Sequence, residues 1–157
     1  MKISNIKYQI SNWEGGQSLF EVVVSLAISA LVIVVLVSLV SNAVRNASYS
    51  KNNSLAAFYG QQATEWLRGQ RDSNIAEFET NVLTPSWCLT DLQWTLSRAC
   101  SLVDVIANTL FTRQVNFSIS TVNGKSIVQA DVIVSWEDSQ GTHEVVNSTN
   151  YADWRQR

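Results

Sequence analysis

The sequence predicts an α+β protein in which one long N-terminal helix packs on a small antiparallel β-sheet. Three observations favour this fold class. Residues 22–44 contain no charged side chain, which is typical of a helix in an apolar environment. Apolar residues then recur at steps of three and four as far as Gln70, which is the period of a helix. From Thr112 the period changes to two, which is the period of half-buried strands.

The apolar run is long enough to cross a membrane. Residues 22–40 are Val, Leu, Ile, Ala and three serines. At about 1.5 Å per residue a helix over this stretch reaches roughly 29 Å, about the thickness of the hydrocarbon core of a bilayer. A lone carboxylate, Glu21, stands at the head of the run, shortly after Gly15 and Gly16.

The layout of Gly16, four residues, Glu21 and the apolar run resembles the N-terminus of type IV prepilins and type II secretion pseudopilins. The resemblance implies that residues 1–16 are a leader, which prepilin peptidase removes by cleaving between Gly16 and Gln17. It also implies that the helix stays in the mature chain and that the fold is the pilin fold. A secretory signal peptide would instead need a small-residue cleavage site after a shorter apolar region.

The same resemblance gives roles to Gln17 and Glu21. Gln17 would be N-methylated, although many family members have Phe there, and an N-terminal Gln can cyclise instead. Glu21 would pair with the amine of Gln17 on a neighbouring subunit and so set the axial register, because a buried carboxylate is costly unless it is paired. The alternative is that Glu21 lies at the membrane–water boundary, where a carboxylate costs little.

Residues 21–31 and 61–74 are similar to minor pilins of the PilV kind, and the first stretch also to minor pseudopilins. Major pilins commonly have a helix-bending proline in the apolar run. Here Ser38 occupies that stretch, and the one proline of the chain is Pro85. The resemblance therefore favours a minor subunit over the main fibre subunit.

One helix is predicted from about Ser18 to about Arg71, with looser geometry near Asn52 and Gly60, because Asn and Ser side chains compete for backbone hydrogen bonds. We predict three parts after the leader: a transmembrane and fibre-core helix over residues 17–44, its amphipathic continuation over 45–72, and a globular head over 73–157. The side chains predicted to face the head are Leu55, Tyr59, Ala63 and Trp66.

The segment between helix and sheet is irregular. Residues 75–79 predict a short helix and residues 84–86 a turn. Cys88 and Cys100 form a disulfide if this side of the membrane is the oxidising one, and closing that loop should contribute about 3 kcal/mol. A metal site and a redox pair are the alternatives, but two cysteines and one histidine are too few for a structural zinc site.

The C-terminal third predicts an antiparallel meander of three strands. Asn123-Gly124 is the strongest short hairpin signal. Residues 138–141 make a second turn, and a third strand follows over residues 142–149. One face of the sheet would cover the helix. The residues predicted to line that face are Val115, Phe117, Ile119 and Thr121 on the first strand and Val128, Ala130, Val132, Val134 and Trp136 on the second.

The sequence does not indicate a catalytic, cofactor or metal site, and we predict no enzyme activity. The net charge of −2, or −3 without the leader, gives no basic footprint for nucleic acid. The one histidine, His143, is expected to be a solvated strand residue, since a general base needs a partner and a pocket. No phosphate-binding loop or zinc spacing occurs.

The resemblance implies a structural subunit of a type IV pilus or a type II secretion pseudopilus. Its partners would be other pilin or pseudopilin subunits, prepilin peptidase, the assembly platform of the inner membrane, and membrane lipid before assembly. The chain would span the inner membrane once, with its head outside the cytoplasm, and then join an extracellular or periplasmic fibre. The alternative is a fibre-associated binding module for DNA uptake or adhesion, which would use Trp154, Arg155 and Arg157.

Overall fold

A computed structural model of the chain describes residues 17–122 and 125–152. Three sequence-based predictions fall wholly or partly outside these residues. They are the leader over residues 1–16, the turn at Asn123-Gly124, and the C-terminal group of Trp154, Arg155 and Arg157.

The first helix, α1, spans Gln17–Ser73 and is continuous over its 57 residues. The looser geometry predicted near Asn52 and Gly60 is therefore wrong. Ser54 keeps its hydroxyl inside the helix by donating to the Ser50 carbonyl oxygen, 2.9 Å away. Gly60 is buried, and a Cβ atom there would lie 3.0 Å from Nδ2 of Asn147. The glycine allows a close approach and does not interrupt the helix.

The contacts divide the chain into two compact units, residues 1–47 and residues 48–157. The described part of the first unit is a single helical stretch. The second unit contains the C-terminal part of α1, a short second helix and the whole sheet.

The second helix, α2, spans Ile75–Asn81, two residues beyond the predicted end at Glu79. Asn74 caps it, because its Oδ1 accepts a hydrogen bond from the backbone N–H of Glu77, 3.2 Å away, and its Nδ2 donates to Oε2 of the same glutamate. Phe78 is the residue of α2 that points into the core, with 3% of its surface exposed.

Four strands form one antiparallel sheet in the order β1-β2-β3-β4. Val122 pairs with Lys125, so β2 and β3 form the predicted hairpin, although its two turn residues lie outside the described ones. The α+β layout of a long apolar N-terminal helix and an antiparallel sheet is confirmed. The strands are β1 (Ser86–Cys88), β2 (Thr112–Val122), β3 (Lys125–Asp138) and β4 (Gly141–Ala152).

Strand β1 was not predicted, because residues 84–86 carry a turn signal and a strand of three residues is too short to show a period of two. Ser86 is instead the first residue of the strand and pairs with Asn116 of β2. Pro85 immediately precedes the strand, where its missing N–H does no harm, and its carbonyl oxygen accepts a hydrogen bond from Phe117.

The inner face of the sheet largely follows the predicted alternation. Of the predicted residues on β3, Val128 is partly buried and the others are buried, and Val115 and Phe117 are buried on β2. Ile119 and Thr121 are exposed, so the prediction for them is wrong. The core lies toward the start of β2, where Phe111 and Arg113 are buried, and the other end of the strand is left open.

The C-terminal part of α1 packs on this core. Of the predicted contact residues, Ala63 is fully buried, while Leu55, Tyr59 and Trp66 are partly buried against the core cluster. Ala56 and Leu67 are also fully buried. Burying one leucine side chain contributes roughly 1.5–3 kcal/mol, so this face anchors the helix to the sheet.

Cys88 and Cys100 are joined, with their sulfur atoms 2.00 Å apart, so the predicted disulfide is present. The loop that it closes is not an exposed flap. Trp94, inside the loop, packs against Trp66 of α1 with ring centroids 4.7 Å apart and against Trp87 of β1 with centroids 5.1 Å apart. The bridge therefore holds an aromatic cluster against the helix.

Candidate assembly surface

The N-terminal part of α1 exposes apolar side chains around its whole circumference. Every side chain from Leu19 to Lys51 is exposed. The exposed fraction of the large apolar residues in this stretch runs from 38% at Val24 to 73% at Leu19. By length and composition this helix can cross a membrane. A helix that is apolar on all sides needs a cover of lipid or of other apolar helices.

The three serines of the apolar run over residues 22–40 do not oppose such a cover. Ser29 donates its hydroxyl to the Ser25 carbonyl oxygen, 2.7 Å away, and Ser38 donates to the Val34 carbonyl oxygen, 3.0 Å away. Ser25 donates likewise to the carbonyl oxygen of Val22. Because each hydroxyl is bonded within the helix, each can lie in an apolar medium without leaving a donor unpaired.

Glu21 is the only charged residue between residues 17 and 44. It is exposed on the surface of α1, and Phe20 and Val22 flank it in the chain. Gln17, where the helix begins, is four residues away, which corresponds to about 6 Å along the axis and to the same face of the helix. An apolar cover over this face would leave a carboxylate that needs a cationic partner.

The predicted processing site lies at the edge of the described residues. The helix begins at Gln17, and Gly16 lies outside them. Cleavage between Gly16 and Gln17, N-methylation of Gln17 and the register role of Glu21 therefore stay predictions. The groups that these predictions would bring together are the new amine at Gln17 and the carboxylate of Glu21.

Arg113 is a buried cation that the sequence analysis missed. It lies on the inner face of β2 with 2% of its surface exposed. Its Nε donates to the carbonyl oxygen of Leu89, 3.0 Å away, and its Nη1 donates to Oε1 of Gln62, 2.8 Å away. Burial lowers the pKa of Arg113 to about 10, so it stays charged at neutral pH. The alternation of Phe111, Arg113 and Val115 was the sequence signal, because it places all three side chains on the same face of the strand.

Arg113 has a structural explanation. Its partners lie on α1 and in the segment that follows β1, so one side chain joins three parts of the head. It does not line any of the described cavities. The arrangement stabilises the packing of the head.

His143 was predicted to be a solvated strand residue, and the structure differs from this prediction. It is partly buried, and its ring stacks on Trp136 with centroids 5.2 Å apart while the edge of Tyr49 approaches at 5.3 Å. Its Nε2 lies 3.0 Å from Oδ1 of Asp138. The hydrogen bond from the backbone N–H of Gln140 and that from His143 lower the pKa of the Asp138 carboxyl. This pair closes the turn between β3 and β4.

Residues 17–122 and 125–152 contain no group of three or more His, Cys, Asp or Glu side chains that could hold a metal ion. The chain matches no protein-family model, no curated protein and no solved structure. The candidate functional surface therefore remains the uncovered apolar part of α1 with its single carboxylate.

Proposed function

We propose that this chain is a minor structural subunit of a type IV pilus or of a type II secretion pseudopilus. In this role, prepilin peptidase removes residues 1–16, and the apolar part of α1 first holds the subunit in the membrane. The assembly platform then transfers the subunit into a fibre, where the apolar helices of neighbouring subunits cover one another. The head faces outward from that bundle.

One observation carries the proposal. The uncovered apolar part of α1 contains a single carboxylate, Glu21, and it lies about one helical turn from the predicted cleavage site. An ordinary membrane anchor needs the apolar surface but has no use for Glu21. Cleavage after Gly16 would create an amine at Gln17, about one helical turn along the axis from that carboxylate. A neighbouring subunit displaced by about one turn would bring its amine to the depth of Glu21, and the attraction between these opposite charges in an apolar bundle would favour that axial position over others.

The described head supports a scaffold role outside the cytoplasm. Its two cysteines are bonded to each other, which is typical of proteins in oxidising compartments. Its one buried cation is bonded to backbone and amide oxygens of the fold itself. These features serve the stability of a domain that other subunits can pack against.

The intact mass of the N-terminus tests the proposal. The full chain is produced in membranes with and without a prepilin peptidase, and the mass of the purified protein is measured. We expect the loss of residues 1–16 only in the presence of the peptidase, followed by addition of one methyl group at Gln17.

Matched variants make the test specific. Gly16→Leu places a large side chain at the scissile position and should stop cleavage, whereas Gly15→Ala, one residue earlier, should be processed like the wild type. A chain that keeps residues 1–16 in the presence of an active peptidase contradicts the proposal. Cleavage after the apolar run would identify a secretory signal peptide instead.

A further inference from the structure

We propose that the head of this chain makes a second contact with the membrane that holds its helix, by inserting an exposed apolar turn into the interfacial layer of the bilayer. The turn is formed by Leu102 and Val103, and we call it the apolar tip. The inference rests on one part of the proposed function, namely that the apolar part of α1 spans a membrane. It rests neither on leader cleavage nor on fibre assembly.

The apolar tip exposes more apolar surface than any other part of the described head. Leu102 is 80% exposed and Val103 is 84% exposed, the largest values among its large apolar side chains. Val105 and Leu110, in the same loop, are also exposed. Contiguous exposed apolar residues of this kind mark interaction surfaces, including membrane contacts, more often than scattered single ones do.

The apolar tip is held in one shape. Arg98 donates from both terminal nitrogens to the carboxylate of Asp104, at 2.6 Å and 3.1 Å. The same carboxylate accepts hydrogen bonds from the backbone N–H and the hydroxyl of Ser101. The hydrogen bonds from Arg98 and Ser101 hold the pKa of the Asp104 carboxyl well below its usual range. Since the turn is already ordered, insertion would cost it little conformational entropy.

The apolar tip lies at the end of the sheet where α1 enters the head. Leu102 lines a hollow of about 80 Å³ together with Trp136, near the end of β3. The ring of Trp136 also packs against the ring of Tyr49 on α1, with centroids 6.1 Å apart. Trp136 therefore connects the neighbourhood of the tip to the first residues of α1 that pack on the head.

Tyr49 lies at the level expected for the membrane surface. The uncharged run ends at Val44, and Arg45 and Lys51 are the next charged residues. Tyrosine is common at membrane–water interfaces, and Arg and Lys near the end of a span extend their charges to them. Five residues of helix from Val44 to Tyr49 correspond to about 7.5 Å. The interfacial layer on each side of the hydrocarbon core is roughly 5–8 Å thick, so this end of the head stands beside it.

The shape of the apolar tip favours lipid over a second protein as its cover. Leu102 and Val103 project from the head, and a protein partner would need a matching apolar pocket to receive them. A fluid bilayer needs no such pocket, because its acyl chains adapt to the side chains that enter. Amphipathic segments of peripheral proteins insert their apolar side chains about 5–10 Å into this layer.

The charges beside the apolar tip indicate an apolar contact and not an attraction to anionic lipid. Arg98 is already paired with Asp104. Glu137, which lines the same hollow as Leu102, is exposed and forms no ion pair within the described residues. These groups carry no net positive charge, so we expect the contact to form on neutral phosphatidylcholine.

The contact is small and depends on the helix for its strength. Two inserted side chains would hold a free head on a membrane only weakly, since even one acyl chain gives marginal binding. Because α1 keeps the head at the membrane surface, insertion of the tip becomes an intramolecular event with a high effective concentration. The tip would therefore fix how the head rests on the bilayer, while α1 supplies the attachment.

Fluorescence quenching of the full chain in phosphatidylcholine vesicles tests this inference. Val103→Cys is labelled with a maleimide of the fluorophore NBD, which leaves the native disulfide intact, and the vesicles contain a lipid with a nitroxide near the start of its acyl chain. Because insertion by about 5–10 Å brings the label to the depth of the nitroxide, we expect at least about threefold stronger quenching than for Leu83→Cys with the same label. Leu83 is a matched control, since it is 72% exposed but lines a groove with Ile119 and Tyr151 near the other end of the sheet.

A second variant tests the apolar nature of the contact. Adding Leu102→Asp to the labelled Val103→Cys chain should lower the quenching to the level of the Leu83 control, because a carboxylate opposes entry into an apolar layer. Val146→Asp in the same labelled chain should leave the quenching unchanged, since Val146 is exposed on β4 and does not line the hollow beside the tip. Circular dichroism shows whether each variant is folded.

Flotation of the vesicles separates failure of this inference from failure of the proposed function. A chain that floats with the vesicles but is quenched equally at positions 103 and 83 would overturn the contact and leave the proposed function standing. Quenching at position 103 that is lost when the chain is diluted below one copy per vesicle would also overturn it, because a second copy would then position the tip. A chain that does not float would contradict the membrane anchor on which both proposals rest.

Discussion

The hydroxyl of Tyr151 on β4 donates a hydrogen bond to the carbonyl oxygen of Thr64 on α1, 3.1 Å away and 87 residues earlier in the chain. Tyr151 is 2% exposed, and its ring packs against Phe78 of α2 with centroids 5.6 Å apart. The guanidinium of Arg71 lies over the same ring, 5.5 Å from its centroid. One side chain thus joins the last strand to both helices.

Tyr151→Phe should therefore destabilise the head by about 0.5–1.5 kcal/mol, because it removes one buried hydrogen bond and keeps the aromatic packing. Denaturant unfolding of the full chain in detergent, followed by tryptophan fluorescence, measures the change. Tyr49→Phe is the matched control, since Tyr49 is 43% exposed and its hydroxyl makes no hydrogen bond within the described residues. Equal stabilities for the two variants would contradict this role of Tyr151.

The same tyrosine should make the head sensitive to alkali. Burial raises the pKa of Tyr151 to about 12 from its ordinary value of 10.0. Between these values the unfolded chain releases the phenol proton and the folded chain keeps it, so the stability contributed below pH 10 is lost as the pH rises toward 12. Unfolding midpoints should fall less steeply over this range in Tyr151→Phe than in the wild type. Parallel slopes for the two proteins would rule out Tyr151 as a source of the alkali sensitivity.

Arg113→Lys should cost about 2–3 kcal/mol of unfolding free energy. The lysine keeps the charge, but its single nitrogen cannot replace the bonds to Leu89 and Gln62, so buried polar groups lose their partners. Arg68→Lys provides the control, since Arg68 forms an exposed pair with Glu65 on α1 and such pairs contribute about 0–1 kcal/mol. A loss no larger than in this control would mean that Arg113 is not a structural centre of the head.

Two glycines of α1 should respond differently to alanine. Gly69→Ala should stabilise the head by about 0.5–1 kcal/mol, because alanine favours a helix and nothing lies within 4 Å of the new Cβ. Gly60→Ala should gain less or lose stability, because its Cβ would lie 3.0 Å from Asn147 and that side chain would have to move. Thermal unfolding of both variants measures the difference. Equal gains in stability for the two variants would show that Asn147 of β4 does not restrict the side chain at position 60.

Glu21→Ala should abolish incorporation into fibres while leaving the head folded. The substitution removes the only charged side chain of residues 17–44 and makes the segment more apolar, so membrane insertion should be kept. Fibre content after shearing, compared with the membrane fraction, measures the effect. Ser25→Ala, four residues further along α1, is the control, since its hydroxyl bonds only within the helix. Normal incorporation of Glu21→Ala would contradict the proposed register role.

Much of this fold was predictable because its signals are periodic and long. The apolar run, the steps of three and four after Leu55 and the alternation around Val132 each extend over many residues, so local irregularities do not hide them. Asn74 was not identified as the cap of α2, although a short helix was predicted to begin at Ile75. A single asparagine is a weak signal, because asparagine is also common in turns.

The features that were missed depend on contacts between distant parts of the chain. Strand β1 forms because Ser86 pairs with Asn116 of β2. Arg113 can be buried because Leu89 and Gln62 supply hydrogen-bond acceptors for its guanidinium. Ile119 follows the inward alternation and is nevertheless exposed, because the core is centred nearer the start of β2.

The sheet order, β1-β2-β3-β4, repeats the order of the strands along the chain. During synthesis the nascent chain can therefore add each strand to its predecessor as it emerges, without waiting for a distant partner. Strand β4, which carries Tyr151, is the last to form and completes the cover of α1. Until β4 has joined the sheet, part of the amphipathic stretch of the helix would face water, and a truncated product lacking this strand should be a preferred target of proteases that degrade unfolded chains.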